Sequence, residues 1–187
     1  MPDWDQHYLS REVSEQTPAD VLIQNQHLLP ANAQALDYAC GLGANACWLA
    51  HKGYQATAWD ASAIAINKIK QYCDNYALKI NAEVRDLENN PPTDEQFDVV
   101  IASFFLHRPT LKNLQQILKP GGLLFYQTFC GERQNDRGPG NPDFRLKRGE
   151  LLNVFSDMQL LYYREDNGIG DLQQGMRDQV MLVAEKQ

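Results

Sequence analysis

The stretch Ala35-Leu36-Asp37-Tyr38-Ala39-Cys40-Gly41-Leu42-Gly43-Ala44-Asn45 decides the fold. A short apolar lead runs into an acid, then into a turn with two glycines, then into a segment of helical character. Strand, tight loop and helix N-terminus in that order make a cradle for a nucleotide-bearing cofactor, because the free N–H groups of a helix start and a Cβ-free loop let a ligand approach the backbone closely. Seventeen residues beyond Gly43 a second acid, Asp60, closes another apolar run.

Outward from this loop the chain alternates strand and helix signals. Thr17-Pro18-Ala19-Asp20 reads as a helix start, with Thr17 as N-cap and Pro18 at the first helical position, for a helix running to about Leu29. Leu36–Tyr38 is the end of a first strand, Ala44–Lys52 a helix with Gly53 as its C-cap, and Gln55–Trp59 a second strand closed by Asp60. Ser62 can cap a helix through Ala77, in which Ile66, Ile69, Tyr72, Cys73 and Tyr76 recur at helical spacing. Ala82–Val84 is a short strand, and Phe97–Phe104 a continuous apolar one of the kind buried on both faces of a parallel sheet. Pro109 opens a helix with Leu111, Leu114, Ile117 and Leu118 inward, ended by Lys119-Pro120-Gly121-Gly122. Leu123–Thr128 is a fifth strand, 131–143 a loop, Lys147–Phe155 a short helix, and Gln159–Arg164 and Gln179–Ala184 two late strands. The alternation predicts a single doubly wound, mostly parallel sheet of seven strands, and the closing pair of strands predicts one of them inserted antiparallel.

The chain has 187 residues, enough for one domain with a substantial core, and its 43% apolar share is ordinary for a globular protein. A net charge of −7 argues against a broad nucleic-acid footprint, which needs basic surface. Four cysteines, Cys40, Cys47, Cys73 and Cys130, form no C-x-x-C pair and show no zinc spacing with histidine, so no metal site is expected. They read as reduced, packed thiols of a cytoplasmic protein. The opening Met1-Pro2-Asp3-Trp4-Asp5 lacks the apolar core of a signal peptide, and no apolar run is long enough to span a bilayer.

Gly41-Leu42-Gly43-Ala44-Asn45-Ala46 matches G-x-G-x-x-A, the dinucleotide fingerprint. Three features point elsewhere. Asp37 precedes the glycines, where a pyrophosphate is repelled and an amino group welcomed. A helix of its own comes before the fingerprint. The two-strand ending is unlike a dinucleotide-binding half. The run 36–43 resembles motif I of the class I S-adenosylmethionine-dependent methyltransferases, D-x-G-x-G-x-G, with Asp60 at that family's ribose-binding acid. Arg85-Asp86-Leu87, Phe97-Asp98-Val99-Val100-Ile101 and Leu118-Lys119-Pro120-Gly121-Gly122-Leu123 are similar to its later motifs, so the resemblance covers essentially the whole chain and implies a Rossmann-like fold. A narrower resemblance, to the tellurite-resistance methyltransferases, is carried by Tyr8-Leu9-Ser10-Arg11, Gly53-Tyr54 leading to Ala58-Trp59-Asp60, and Phe144–Leu151. Ala39 departs from the pattern by occupying the first glycine of motif I, where a left-handed turn would strain it.

The resemblance implies that S-adenosylmethionine meets the backbone at Ala39 and Gly41 with Asp37 near its amino end, that Gly43 completes the loop, and that Asp60 accepts the ribose hydroxyls. It places Asp86 at the adenine amine, with Leu87 and Ala61 against the ring, and Ser103 in the same set. Arg11 is the candidate for the methionine carboxylate, its fork suited to that group, against the plain alternative of a solvated cation. Tyr8 and Trp4 either lid the site or pin the N-terminus, within a 1–30 segment expected to act as lid. His107, past the fourth strand, is the candidate general base, against a histidine bonded to local backbone; Arg108 is open in the same way. Arg133, Arg137, Arg145, Lys147 and Arg148 against Glu132, Asp136 and Asp143 make 131–148 either a substrate-side loop that attracts an anion or a solvated loop.

The expected reaction is in-line transfer of a methyl group to a small-molecule acceptor, a soft anion or thiol of the tellurite or selenium type, with no covalent enzyme nucleophile. Three other readings stand beside it: a methyltransferase acting on RNA or protein, a NAD-binding oxidoreductase, and a cofactor-binding module without turnover. Asn167-Gly168-Ile169-Gly170-Asp171 occupies the late loop where a His/Arg-rich acceptor patch would fit the narrower family.

Overall fold

Val99, Val100, Ile101 and Ala102 have no exposed surface, and the strand they form carries the sheet's centre. In the computed structural model, which describes residues 4–134 and 138–187, the strands are β1 (Gln34–Tyr38), β2 (Gln55–Asp60), β3 (Ile80–Val84), β4 (Phe97–Ser103), β5 (Leu118–Phe129), β6 (Gln159–Arg164) and β7 (Gln179–Glu185). Their order is β3-β2-β1-β4-β5-β7-β6. The first five run parallel, and β7 lies antiparallel between β5 and β6. The expected doubly wound sheet with an antiparallel insertion is the architecture found.

Successive residues of the central strands feed opposite cores, since side chains alternate across a strand. Ala35, Ile101 and Phe125 pack on one face with Leu49 of α3 (Ala44–His51) and Ile66 and Ile69 of α4 (Ala63–Tyr76). Leu36, Val100 and Leu124 pack on the other with Leu114 of α5 (Asn113–Gln116) and Leu151 of α6 (Glu150–Val154). A strand buried on both faces has no polar side to alternate with, which is why β4 reads as a continuous apolar run. Ser62 caps α4 as expected, its Oγ accepting from the Ala65 N–H at 3.1 Å. Tyr76, expected on the inner face, is 60% exposed and stacks on Tyr72 instead.

Four boundaries differ from expectation. The helix expected from Thr17 to Leu29 is α2 (Asp20–Gln24) followed by a 3-10 turn, Gln26–Leu28. Thr17 does not cap it; the Ala19 N–H donates to Asn45 Oδ1 at 2.9 Å and the Val21 N–H to Gln127 Oε1 at 2.8 Å. Asn25 then takes the Val21 carbonyl with its side chain and ends the helix. The helix expected from Pro109 is a 3-10 turn, Arg108–Thr110, and the single turn α5. Leu118 begins β5 rather than ending a helix, and the expected breaker Lys119–Gly122 is absorbed into that strand at a register shift against β4. There the Gly121 N–H and Gly122 carbonyl bond to Lys186. Finally, α6 starts at Glu150, after Gly149 at φ +67. A short helix α1 (Trp4–Tyr8) folds over the start of α4.

Candidate functional site

The loop after β1 leaves the sheet beside the C-terminal ends of β2 and β4. Ala39, Gly41 and Gly43 lie at φ +54, +53 and +72. Ala39 is therefore left-handed, the costly case for a residue with a β-carbon, about 1–2 kcal/mol. The Cys40 N–H continues the ladder to the Trp59 carbonyl at 2.9 Å, and the Gly43 carbonyl receives the Cys47 N–H as α3 begins. A β-carbon at Gly41 would lie 2.7 Å from the Tyr8 hydroxyl, so only glycine lets the Tyr8 phenol close over the loop. Burial pushes that phenol well above its usual range, with Asp60 adding to the effect.

Asp60 ends β2 facing this loop and is 7% exposed. Its Oδ2 accepts from the Gly41 N–H at 2.8 Å and its Oδ1 from the Ser62 N–H at 2.9 Å. Burial raises its carboxyl above the ordinary value, partly offset by these backbone bonds. Each oxygen keeps a further lone pair for a hydroxyl donor.

Asp37 has no exposed surface, and its oxygens accept from Asn45 Nδ2 at 3.0 Å and the Ala46 N–H at 3.1 Å. It serves the first turn of α3, whose unsatisfied N–H groups and positive end favour a carboxylate. Burial pushes its carboxyl up to about 7 from the ordinary 3.8, against the opposing hydrogen bonds from Asn45 and Ala46. The folded state thus keeps a proton that the unfolded chain releases. This contribution to stability is full below pH 3.8 and is lost as pH rises to about 7. Urea titrations should show the stability of wild type relative to Asp37→Asn falling over that window by a few kcal/mol (about 1.4 per pH unit). Parallel profiles for the two proteins would contradict this.

Asn45 is the residue that sequence reading missed. Its Oδ1 holds the Ala19 N–H, and its Nδ2 reaches both Asp37 and Ser103 Oγ, the latter at 3.1 Å. One buried amide so joins the ends of β1 and β4 to the start of α2. Gln127 does the same from β5, bonding Val21 and Gln179. Its signal was available: a lone amide inside the apolar run 123–129 must be paired when buried.

The remaining candidates divide. Ser103 is half-buried on Asn45, and Ala61 is exposed beside Asp60. Asp86 is exposed and accepts from the N–H groups of Glu88 and Asn89 and from Asn89 Nδ2, an acid that organises its own turn. Leu87 is buried, its carbonyl near the Tyr38 hydroxyl. Arg11 is exposed, with its guanidinium near Tyr8 and no carboxylate paired to it among the described residues. Lys68 holds the Leu9 and Arg11 carbonyls at 3.0 and 2.6 Å, and Asp5 accepts from Ser62 Oγ at 2.6 Å, so 4–11 is strapped along α4. His107 is half-buried with Nδ1 2.9 Å from Thr110 Oγ1. The Thr110 hydroxyl in turn reaches the His107 carbonyl at 3.4 Å.

The basic loop is corrected in part. Arg145 is 4% exposed and donates to the carbonyls of Cys130, Gly131 and Asp178, so it ties down the loop from inside. Arg108 pairs with Glu150 at 2.7 Å and takes the carbonyls of Asp143 and Arg145. Neither presents a free cation to an anion. Asp136 and Arg137 lie outside the described residues.

Comparison with known proteins agrees with this geometry. Residues 35–122 match the family described as Methyltransferase domain. That segment, from β1 to the start of β5, is similar to a methyltransferase domain, and the fold of the whole chain is that of TehB. The chain is 26% identical over 144 residues to a probable S-adenosyl-L-methionine-dependent methyltransferase TehB of Haemophilus influenzae, covering 72% of this chain and 49% of that protein. The crystal structure of TehB from that organism superposes with a TM-score of 0.76 at 19% identity, over 98% of this chain and 67% of that one. An uncharacterised methyltransferase, YodH of Bacillus subtilis, is 34% identical over 93 residues, 48% of this chain and 40% of that protein. The chain thus spans less than half the length of these two curated relatives. No helix among the described residues is long and apolar enough to cross a membrane.

Proposed function

We propose that the chain transfers a methyl group from S-adenosylmethionine to a small-molecule acceptor, a thiol or other soft anion, in the cytoplasm. The observation that carries this is the pairing of Asp60 with the Gly41 loop: a buried carboxyl with unused lone pairs beside a turn with glycine at 41 and 43. In this reading Asp60 receives the ribose hydroxyls, and the backbone of Ala39, Gly41 and Gly43 lies along the methionine end. Arg11 takes the carboxylate, and Ala61, Asp86 and Leu87 hold the adenine. Asp37 and Ser103, both bonded to Asn45, position the loop from behind. When bound, S-adenosylmethionine supplies a methyl group on a positively charged sulfur.

The protein's work is then alignment and exclusion of water. The 4–11 segment serves as lid, with Tyr8 over Gly41 and its strap to α4 supplied by Asp5 and Lys68. Residues 138–148 line the acceptor side. His107 Nε2 can accept a proton from a hydroxyl or amine, whereas an ionised thiol needs none. The four cysteines are free, consistent with a reducing compartment.

The test is a screen of thiols, oxyanions and small amines that reads release of S-adenosylhomocysteine. Turnover on a thiol is expected. Tight cofactor binding without release on any acceptor would leave a binding module in place of an enzyme.

A further inference from the structure

Phe104 is a bulky residue in a conformation that bulky residues avoid. It follows the last residue of β4 at φ +55, with half of its side chain exposed. Its N–H bonds to the Gln127 carbonyl at 2.8 Å, extending the β4–β5 ladder one step and holding the strained backbone in place. An aromatic residue kept both strained and exposed contributes little to a core, and such positions concentrate where ligands bind. Phe104 is also next to Ser103, which Asn45 joins to the cofactor loop. Ligands of open α/β sheets sit off these strand ends.

The ring does not stand alone. Its centroid is 5.3 Å from that of Phe129, at the C-terminal end of β5. Phe129 is fixed from the sides. Gly138 runs so close to its ring that no β-carbon fits, and the Arg145 guanidinium lies 5.4 Å from the ring centre. Around this aromatic pair, Arg108 and Arg145 are committed to Glu150 and to main-chain carbonyls. The acceptor end of the crevice therefore offers ring faces.

We propose that Phe104, backed by Phe129, is the wall that receives the acceptor, and that the acceptor is a thiol carried on an aromatic or similarly flat apolar body. A bare oxyanion would have no use for the ring. This rests on the methyl-transfer reading above. The acceptor gives its thiol proton to solvent. Transfer then forms a bond from its sulfur to the methyl carbon and breaks that carbon's bond to the cofactor sulfur, leaving two neutral thioethers.

The experiment compares wild type with Phe104→Gly and Phe104→Leu. Glycine accepts φ +55 freely, so Phe104→Gly should keep or raise the melting temperature. Calorimetry should show thioanisole, the methylated product of thiophenol, binding the wild type in the presence of S-adenosylhomocysteine, at least tenfold more weakly in Phe104→Gly, and between the two in Phe104→Leu. Affinity for S-adenosylhomocysteine should stay within twofold. With S-adenosylmethionine, kcat/KM of wild type should be at least tenfold higher on thiophenol than on 2-mercaptoethanol or tellurite. Equal thioanisole binding by all three proteins, or a preference for tellurite, overturns the proposal and leaves methyl transfer intact. A wild type that binds no S-adenosylhomocysteine overturns both.

Discussion

Asp60→Ala lowers the affinity for S-adenosylmethionine at least a hundredfold, as read by calorimetric titration. A hundredfold is about 2.7 kcal/mol. The bonds at stake carry that much. Asp60 is buried and bonded to two main-chain N–H groups, and each buried group left unpaired costs about 1–3 kcal/mol. Truncation removes the proposed partner of the ribose hydroxyls and also frees the Gly41 N–H, so the loop loses its anchor to β2. Asp60→Asn keeps one oxygen as acceptor and should fall between the two. Affinity unchanged within threefold would remove Asp60 from the cofactor site.

Asn45→Ala should destabilise the protein by about 3 kcal/mol, a fall in melting temperature of about 6–12 °C for a chain of this size. The arithmetic follows from what the amide holds. Without it, the buried Ala19 N–H has no acceptor and Asp37 loses one of its side-chain-to-donor bonds in a fully buried setting. Each buried group left unpaired costs about 1–3 kcal/mol. Asn45→Asp keeps an acceptor for the Ala19 N–H but replaces the donor to Asp37 with a second carboxyl, so its cost should grow as pH rises and both groups ionise. Thermal denaturation followed by circular dichroism reads both. A shift under 2 °C for Asn45→Ala would show that α2 and the cofactor loop are held together by other contacts.

The parts of this molecule that were legible in its sequence are those fixed by local pattern. The β4 run is apolar because both its faces are buried, and the Ser62 cap lies three residues from the N–H it serves. Asp37, the glycine loop and Asp60 sit at strand ends whose spacing is set by one helix and one strand. What was hidden depends on partners far along the chain. The α2 start is satisfied by Asn45 and Gln127, 26 and 106 residues away from the N–H groups they receive, so Thr17 and Pro18 gave a false boundary. The role of Asp37 turned on whether it faced solvent or α3, which spacing alone does not state. Arg145 looked like part of a cationic loop; three carbonyls from two places in the chain draw it into the interior. Phe104 gave no signal because its backbone angle, not its identity, sets it apart.

The central claim is that the Gly41 loop and Asp60 form a site for a sulfonium cofactor rather than a dinucleotide. Calorimetric titration of the wild type with S-adenosylmethionine and, separately, with NAD tests it most directly. The account predicts saturable one-to-one binding of S-adenosylmethionine and no heat from NAD beyond dilution. Binding of NAD without binding of S-adenosylmethionine would contradict it.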